Sequence, residues 1–191
     1  MMMQLVKNTK ILGFAGSLRK GSYNRAVLRA AKELTPNGVE LEIFDLDRIP
    51  PFNADLEGSM PKAVMEFKAK IKAADALLIV TPEYNYSISG VLKNAIDWAS
   101  RPYTDNSFND KPAAIMSAST GMLGGARAQY HLRQALIFLN VHAMNKPEVM
   151  VANANTKIDA SGKLTDEDTR EHIKKLLDAL VQWTARLKTD A

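Results

Sequence analysis

The sequence predicts an α/β protein: a doubly wound, five-stranded parallel sheet in the order 2-1-3-4-5, with helices on both faces. Three observations carry that expectation. Strand-like and helix-like segments alternate from end to end, which implies parallel strands joined by crossover helices. Two segments, Ala76-Leu77-Leu78-Ile79-Val80 and Ala113-Ala114-Ile115-Met116, are continuous apolar runs, as strands covered on both faces must be. Residues Val39 to Phe44 instead alternate, Val39, Leu41 and Ile43 against Glu40 and Glu42, which places that strand half-exposed at an edge.

The elements follow in order. Lys10 to Ala15 is the first strand. Asn24 to Leu34 is a helix with Val27, Leu28, Ala31 and Leu34 on one face, stopped by Pro36-Asn37-Gly38. After the edge strand, Asp45 to Ser59 is an irregular connection containing Pro50-Pro51. Pro61 to Ala74 is a helix with Val64, Phe67 and Ile71 inward, and it leads into the first apolar run. Pro82 to Ser89 is a loop, and Gly90 to Ala99 is helical. The second apolar run is followed by the glycine-rich Thr120 to Gly125 and by a helix from Ala126 to Leu139. Val149-Met150-Val151 is a last short strand, and Asn153 to Leu164 is polar and loop-like. Thr165 caps a final helix of roughly 20 residues. That helix has Asp166, Glu167 and Asp168 in its first turn, and Ile173, Leu176, Leu177, Leu180 and Leu187 inward.

No linker, repeat or low-complexity tract divides the 191 residues, so residues 1–191 read as one domain. The absence of cysteine excludes disulfides, thiolate catalysis and cysteine metal sites. His131, His142 and His172 lack metal-ligand spacing, so no metal site is expected. Met1 to Lys10 has no long apolar core, and no segment is long and apolar enough to span a bilayer, which reads as a cytoplasmic protein without a membrane partner. The net charge of +4 comes without a basic block interleaved with aromatics, so nucleic acid is not an expected partner. A basic balance does favour anionic ligands.

In a sheet of this order, ligands bind beyond the carboxyl ends of the strands at the switch point. That rule selects three loops: Gly16 to Asn24, Pro82 to Ser89 and Ser117 to Gly125. The first follows a strand and opens a helix, where free amides and the helix dipole favour an anion. Ser17, Ser22 and Asn24 add side-chain donors, and Arg19 adds a charged fork. Gly16 and Gly21 have the spacing of a triphosphate-binding loop, but Ser22 stands where its lysine belongs. No G-x-G follows the first strand, which argues against a dinucleotide. A terminal phosphate therefore fits best, and an ordinary capped turn is the alternative.

The second loop, Thr81-Pro82-Glu83-Tyr84-Asn85-Tyr86-Ser87, offers Tyr84 or Tyr86 to flank a planar heteroaromatic ring. Tyrosines that merely cover apolar surface are the alternative. Glu83 has no second carboxylate or histidine at suggestive spacing and is not read as a general acid. In the third loop, Ser117-Ala118-Ser119-Thr120-Gly121-Met122-Leu123-Gly124-Gly125, small residues permit close approach to a flat ligand. Ser117 fills the first glycine position around Ser119, so no nucleophile elbow is present. No side chain is read as catalytic.

Four ordered segments then carry a resemblance: Gly16-Ser17-Leu18-Arg19-x-Gly21-Ser22-x-Asn24, Pro82-Glu83-Tyr84-Asn85-Tyr86-Ser87, Leu92-Lys93-Asn94-Ala95-Ile96-Asp97-Trp98 and Ser119-x-Gly121-x-x-Gly124-Gly125. The chain resembles the NADPH-dependent FMN reductase family from strand one to about Val151, most closely the bacterial quinone and chromate reductase branch, alongside azoreductases. The resemblance implies a flavodoxin-like fold and bound FMN, with NAD(P)H as electron donor. It implies that Ser17, Arg19, Ser22 and Asn24 hold the phosphate. Pro82, Glu83, Tyr84 and Asn85 would line the isoalloxazine largely through backbone groups, with Ser119 and Gly121 approaching from the third loop. It further implies ping-pong reduction of quinones and related acceptors, and a homodimer or homotetramer. Tyr86, Trp98 and the Tyr130–Arg133 helix face are the candidates for that contact, with Trp98 reading equally as core. The competing readings are a flavodoxin-like electron carrier without NAD(P)H oxidation, against which the positive charge argues, and a phosphate-binding regulatory module without flavin.

Overall fold

A computed structural model of the chain describes residues 9–189, so the reading of Met1 to Lys10 as lacking a leader lies mostly outside the described residues. The strands β1 (Thr9–Ala15), β2 (Val39–Phe44), β3 (Ala76–Thr81), β4 (Pro112–Ala118), β5 (His142–Ala143) and β6 (Val149–Val151) form one sheet. All its pairings are parallel, in the order β2-β1-β3-β4, with β5 and β6 both paired to β4. The expected order is present, with one difference. The fifth position is built from two short strands, because Lys146-Pro147 interrupts the run and proline has no amide for a ladder.

Alternation along β1, β3 and β4 divides the core in two. Ile11, Leu78, Val80, Ala114 and Met116 face α1 (Tyr23–Glu33) and α6 (Glu167–Thr189). Leu12, Phe14, Leu77, Ile79 and Ile115 face α2 (Lys62–Ala73), α3 (Gly90–Ala99) and α4 (Ala126–Phe138). Phe67 of α2 anchors that second face, packing edge-on against Phe14 with ring centroids 5.2 Å apart. Every residue of β3 and β4 is buried, as the apolar runs require, whereas Glu40 and Glu42 of the edge strand β2 are exposed. Among the described residues no helix is long and apolar enough to cross a membrane.

Two local expectations change and one open reading is decided. The polar stretch from Asn153 contains a short helix, α5 (Ala154–Lys157). Of the two readings of Trp98, core is the one the structure shows: it is fully buried, its indole Nε1 donates to Pro50 O at 2.8 Å, and Phe52 packs against it. Asp166, not Thr165, caps α6, because its carboxylate accepts the Thr169 amide at 3.0 Å and the Thr169 hydroxyl, while Thr165 bonds back to Lys157 O. The Thr169 hydroxyl bond, ahead of the amide bond and nearby Lys157, holds the Asp166 carboxyl below the ordinary aspartate range. With its pKa depressed by folding, this cap contributes in full above the ordinary aspartate value and is lost as pH falls through the folded one. Asp166→Ala is expected to cost about 0.5–2 kcal/mol at neutral pH. The gap between the two proteins in thermal melts should close on acidification.

Candidate functional site

Parallel register aligns the ends of the central strands, pairing Ala15 with Val80 and Thr81 with Ser117. The three loops beyond those ends meet in one cleft, lined by Ser17, Arg19, Ser22, Tyr23, Asn24, Pro82, Glu83, Tyr84, Ala118, Ser119 and Thr120. Side chains brace the loops against one another. Ser89 caps α3 by accepting the Leu92 amide at 3.1 Å and donates its hydroxyl to Gly16 O at 2.6 Å. Gly16 has to be glycine for this approach, since a Cβ there would lie 2.7 Å from Ser89 Oγ and 2.9 Å from Leu92 Cβ. Asn24 is buried and bonds the backbone of Ala118 twice, Nδ2 donating to its carbonyl and Oδ1 accepting its amide, each at 2.9 Å. The first loop is thereby fastened to both others.

At the phosphate end, Ser22 caps α1 by accepting the Arg25 amide at 3.3 Å, which leaves its hydroxyl hydrogen to donate elsewhere. No protein group accepts the amides of Tyr23 and Asn24 among the described residues, so the first turn of α1 keeps free donors. Arg19 is exposed, donates one N–H to Gly21 O at 3.2 Å and lies 5.9 Å from the Tyr23 ring centroid. Ser17 is buried at the mouth of β1. This donor set suits a dianionic terminal phosphate. One expectation changes here. The Asn24 side chain spends its Oδ1 and one Nδ2 hydrogen on Ala118, so what Asn24 keeps for a ligand is its backbone amide and its second Nδ2 hydrogen.

At the ring end, Tyr84 and Ser87 exchange backbone hydrogen bonds of 3.0 Å in each direction. Between them Asn85 and Tyr86 adopt φ of 49° and 67°, the left-handed pair that a two-residue hairpin of this kind demands. Tyr84 and Tyr86 are exposed, and the amides of Asn85 and Tyr86 have no protein acceptor among the described residues. Glu83 behaves unlike a solvated loop carboxylate. Its side chain is 8% exposed, and its Oε2 accepts the amides of Arg127 at 3.1 Å and Ala128 at 3.4 Å, while Oε1 pairs with the Arg127 guanidinium. That guanidinium also lies 3.6 Å from the Tyr86 ring centroid. Arg127 escaped the sequence reading. Its signal was the helix start Gly124-Gly125-Ala126, where Gly125 at φ 91° has no side chain to act as a cap, so an acceptor has to arrive from elsewhere.

The third loop is held by its own hydrogen bonds and by the segment behind it. Ser119 Oγ accepts the Gly121 amide at 3.1 Å, and Ser119 O accepts the Ala154 amide at 3.0 Å, so α5 supports it from behind. Gly121 is exposed, and a Cβ there would meet only Ser119 Oγ, at an ordinary contact of 3.6 Å. Ser117 does not face a substrate: its hydroxyl is buried, donates to Gly124 O at 2.6 Å and accepts from Gln129. A cleft with a free anion cradle at one end and exposed aromatic and glycine surfaces at the other fits a flavin mononucleotide, and no acid–base pair lies within it.

Comparison with known proteins identifies the family. The family model for NADPH-dependent FMN reductase matches residues 9–156. An NAD(P)H-dependent FMN reductase of Pseudomonas aeruginosa is 55% identical over 94% of this chain and 97% of its own length. An NAD(P)H:quinone oxidoreductase of Solanum tuberosum is 49% identical over 94% of each chain. Among solved structures, a flavoenzyme NAD(P)H:(acceptor) oxidoreductase of Paracoccus denitrificans superposes with a TM-score of 0.85 at 36% identity, covering 93% of this chain and 98% of that one. The chain belongs to the NADPH-dependent FMN reductase family, enzymes whose cofactor is FMN and whose electron donor is NAD(P)H.

Proposed function

We propose that this chain is a cytoplasmic NAD(P)H oxidoreductase that holds FMN across the three-loop cleft and reduces quinones and related acceptors, chromate, azo compounds and flavin among them. The observation that carries it is the pairing of unspent donors at the start of α1 with the left-handed tyrosine hairpin in one cleft. The 49%-identical quinone oxidoreductase supports quinones as the acceptor class. Ser17, Arg19, Ser22 and the Tyr23 and Asn24 amides hold the phosphate. Pro82, Glu83, Tyr84 and Asn85 border the ring from one side through their backbone, and Ser119 and Gly121 border it from the other. FMN, when bound, takes hydride from NAD(P)H and passes the electrons on. The protein's share is to position donor and acceptor in turn at one open face.

A shared face makes the kinetics ping-pong. Steady-state rates with NADPH and a benzoquinone should give parallel double-reciprocal lines, and intersecting lines would exclude sequential use of one face. The whole chain works as one domain and as a homodimer or homotetramer. Ile137 and Phe138 of α4 are 78% and 72% exposed, and Tyr130 and Tyr103 extend the same apolar surface. Sedimentation at the mass of a single chain would refute that assembly.

A further inference from the structure

The hairpin at the ring end is tied to α4 at both of its feet. Glu83, just ahead of it, caps the first turn of α4 through the Arg127 and Ala128 amides and pairs with the Arg127 guanidinium. Ser87, at its end, shares a 3.1 Å hydrogen bond with His131 Nδ1 of the same helix. Between the feet, the Arg127 guanidinium covers the Tyr86 ring. Left-handed Asn85 and Tyr86 are an unfavourable pair that surrounding contacts have to impose, because a side chain in that conformation crowds its own backbone. A carboxylate spent entirely on a helix start is not available to bind a ligand or move a proton. From its three bonds, its near-complete burial and its place next to the hairpin, the geometry assigns Glu83 a different task. We propose that Glu83 is a positioning residue: through α4 and Arg127 it holds the Tyr84–Ser87 hairpin in its ring-binding conformation before any flavin arrives.

The proposal rests on the FMN reading, and binding measurements separate the two. FMN and riboflavin share the ring but only FMN carries the phosphate. Glu83→Ala should weaken both flavins by the same factor, at least about tenfold, by analogy with other lost bonds to a charged group. Glu83→Gln keeps an oxygen for the two amides and should recover most of that loss. Arg19→Ala should weaken FMN alone. Dissociation constants come from flavin fluorescence titration of the flavin-free protein, with thermal melting alongside. Should Glu83→Ala fail to fold, Arg127→Leu decides, since it removes the ion pair and the cover over Tyr86 but leaves both amide bonds. Several-fold weaker binding of both flavins is expected there. A Glu83→Ala or Arg127→Leu protein that melts lower yet binds both flavins like the wild type would reduce Glu83 to a helix cap and overturn the proposal. A wild-type protein that binds neither flavin would overturn the FMN reading, and this proposal with it.

Discussion

Arg19→Ala is expected to weaken FMN binding by on the order of 1.5–3 kcal/mol, the worth of a hydrogen bond to a charged group, or roughly 10- to 150-fold in dissociation constant. Arg19 spends one N–H on Gly21 O and keeps the rest of its fork in an exposed loop at the start of α1. Its charge adds to free amides that already favour an anion, so the loss should be large but incomplete. Lysine at this position keeps charge but loses the fork, and should restore part of the affinity. Isothermal titration of the flavin-free protein checks both variants. Wild-type affinity in Arg19→Ala would remove the phosphate from this loop.

The second large effect is expected at Asn24. Asn24→Ala strands a buried amide and a buried carbonyl of Ala118, each worth about 1–3 kcal/mol when left unsatisfied. A loss of about 2–6 kcal/mol follows, visible as a lower thermal midpoint. Because the same two bonds tie the first loop to the end of β4, FMN affinity should fall with stability. Asn24→Asp is a sharper probe. It keeps an acceptor for the Ala118 amide but sets a carboxylate oxygen against the Ala118 carbonyl, so it should recover less than its shape implies. An Asn24→Ala protein with an unchanged midpoint would mean that the loops are braced by other contacts.

These two residues also mark what the sequence made legible. The sheet was readable because β3 and β4 are uniformly apolar and β2 alternates, patterns set by which faces water reaches. The three loops were readable because the order of a doubly wound sheet dictates which strand ends meet. Arg19 was recognisable as a charged group in a loop that needs one. Asn24 looked the same on paper, a polar residue at a helix start, yet its side chain reaches Ala118, 94 residues away. A bond across that separation has no local pattern. Glu83 fails for the same reason: its partners, two backbone amides and the Arg127 guanidinium, lie on α4, 44 and 45 residues away. Trp98 was ambiguous because an indole serves core and surface alike, and the Pro50 carbonyl that satisfies it lies in an irregular connection. The split fifth strand followed from Pro147, whose effect on pairing depends on which neighbour its backbone faces.

The central claim is that the cleft joins a flavin phosphate site to a ring surface open to NAD(P)H. It is tested most directly by mixing the FMN-loaded protein with NADPH in the absence of oxygen and following the visible absorbance of the flavin. Rapid bleaching is expected, complete at one equivalent of NADPH per bound FMN, with recovery of the oxidised spectrum when a benzoquinone is added. A flavin that binds but stays oxidised would instead identify an electron carrier and rule out NAD(P)H oxidation at this cleft.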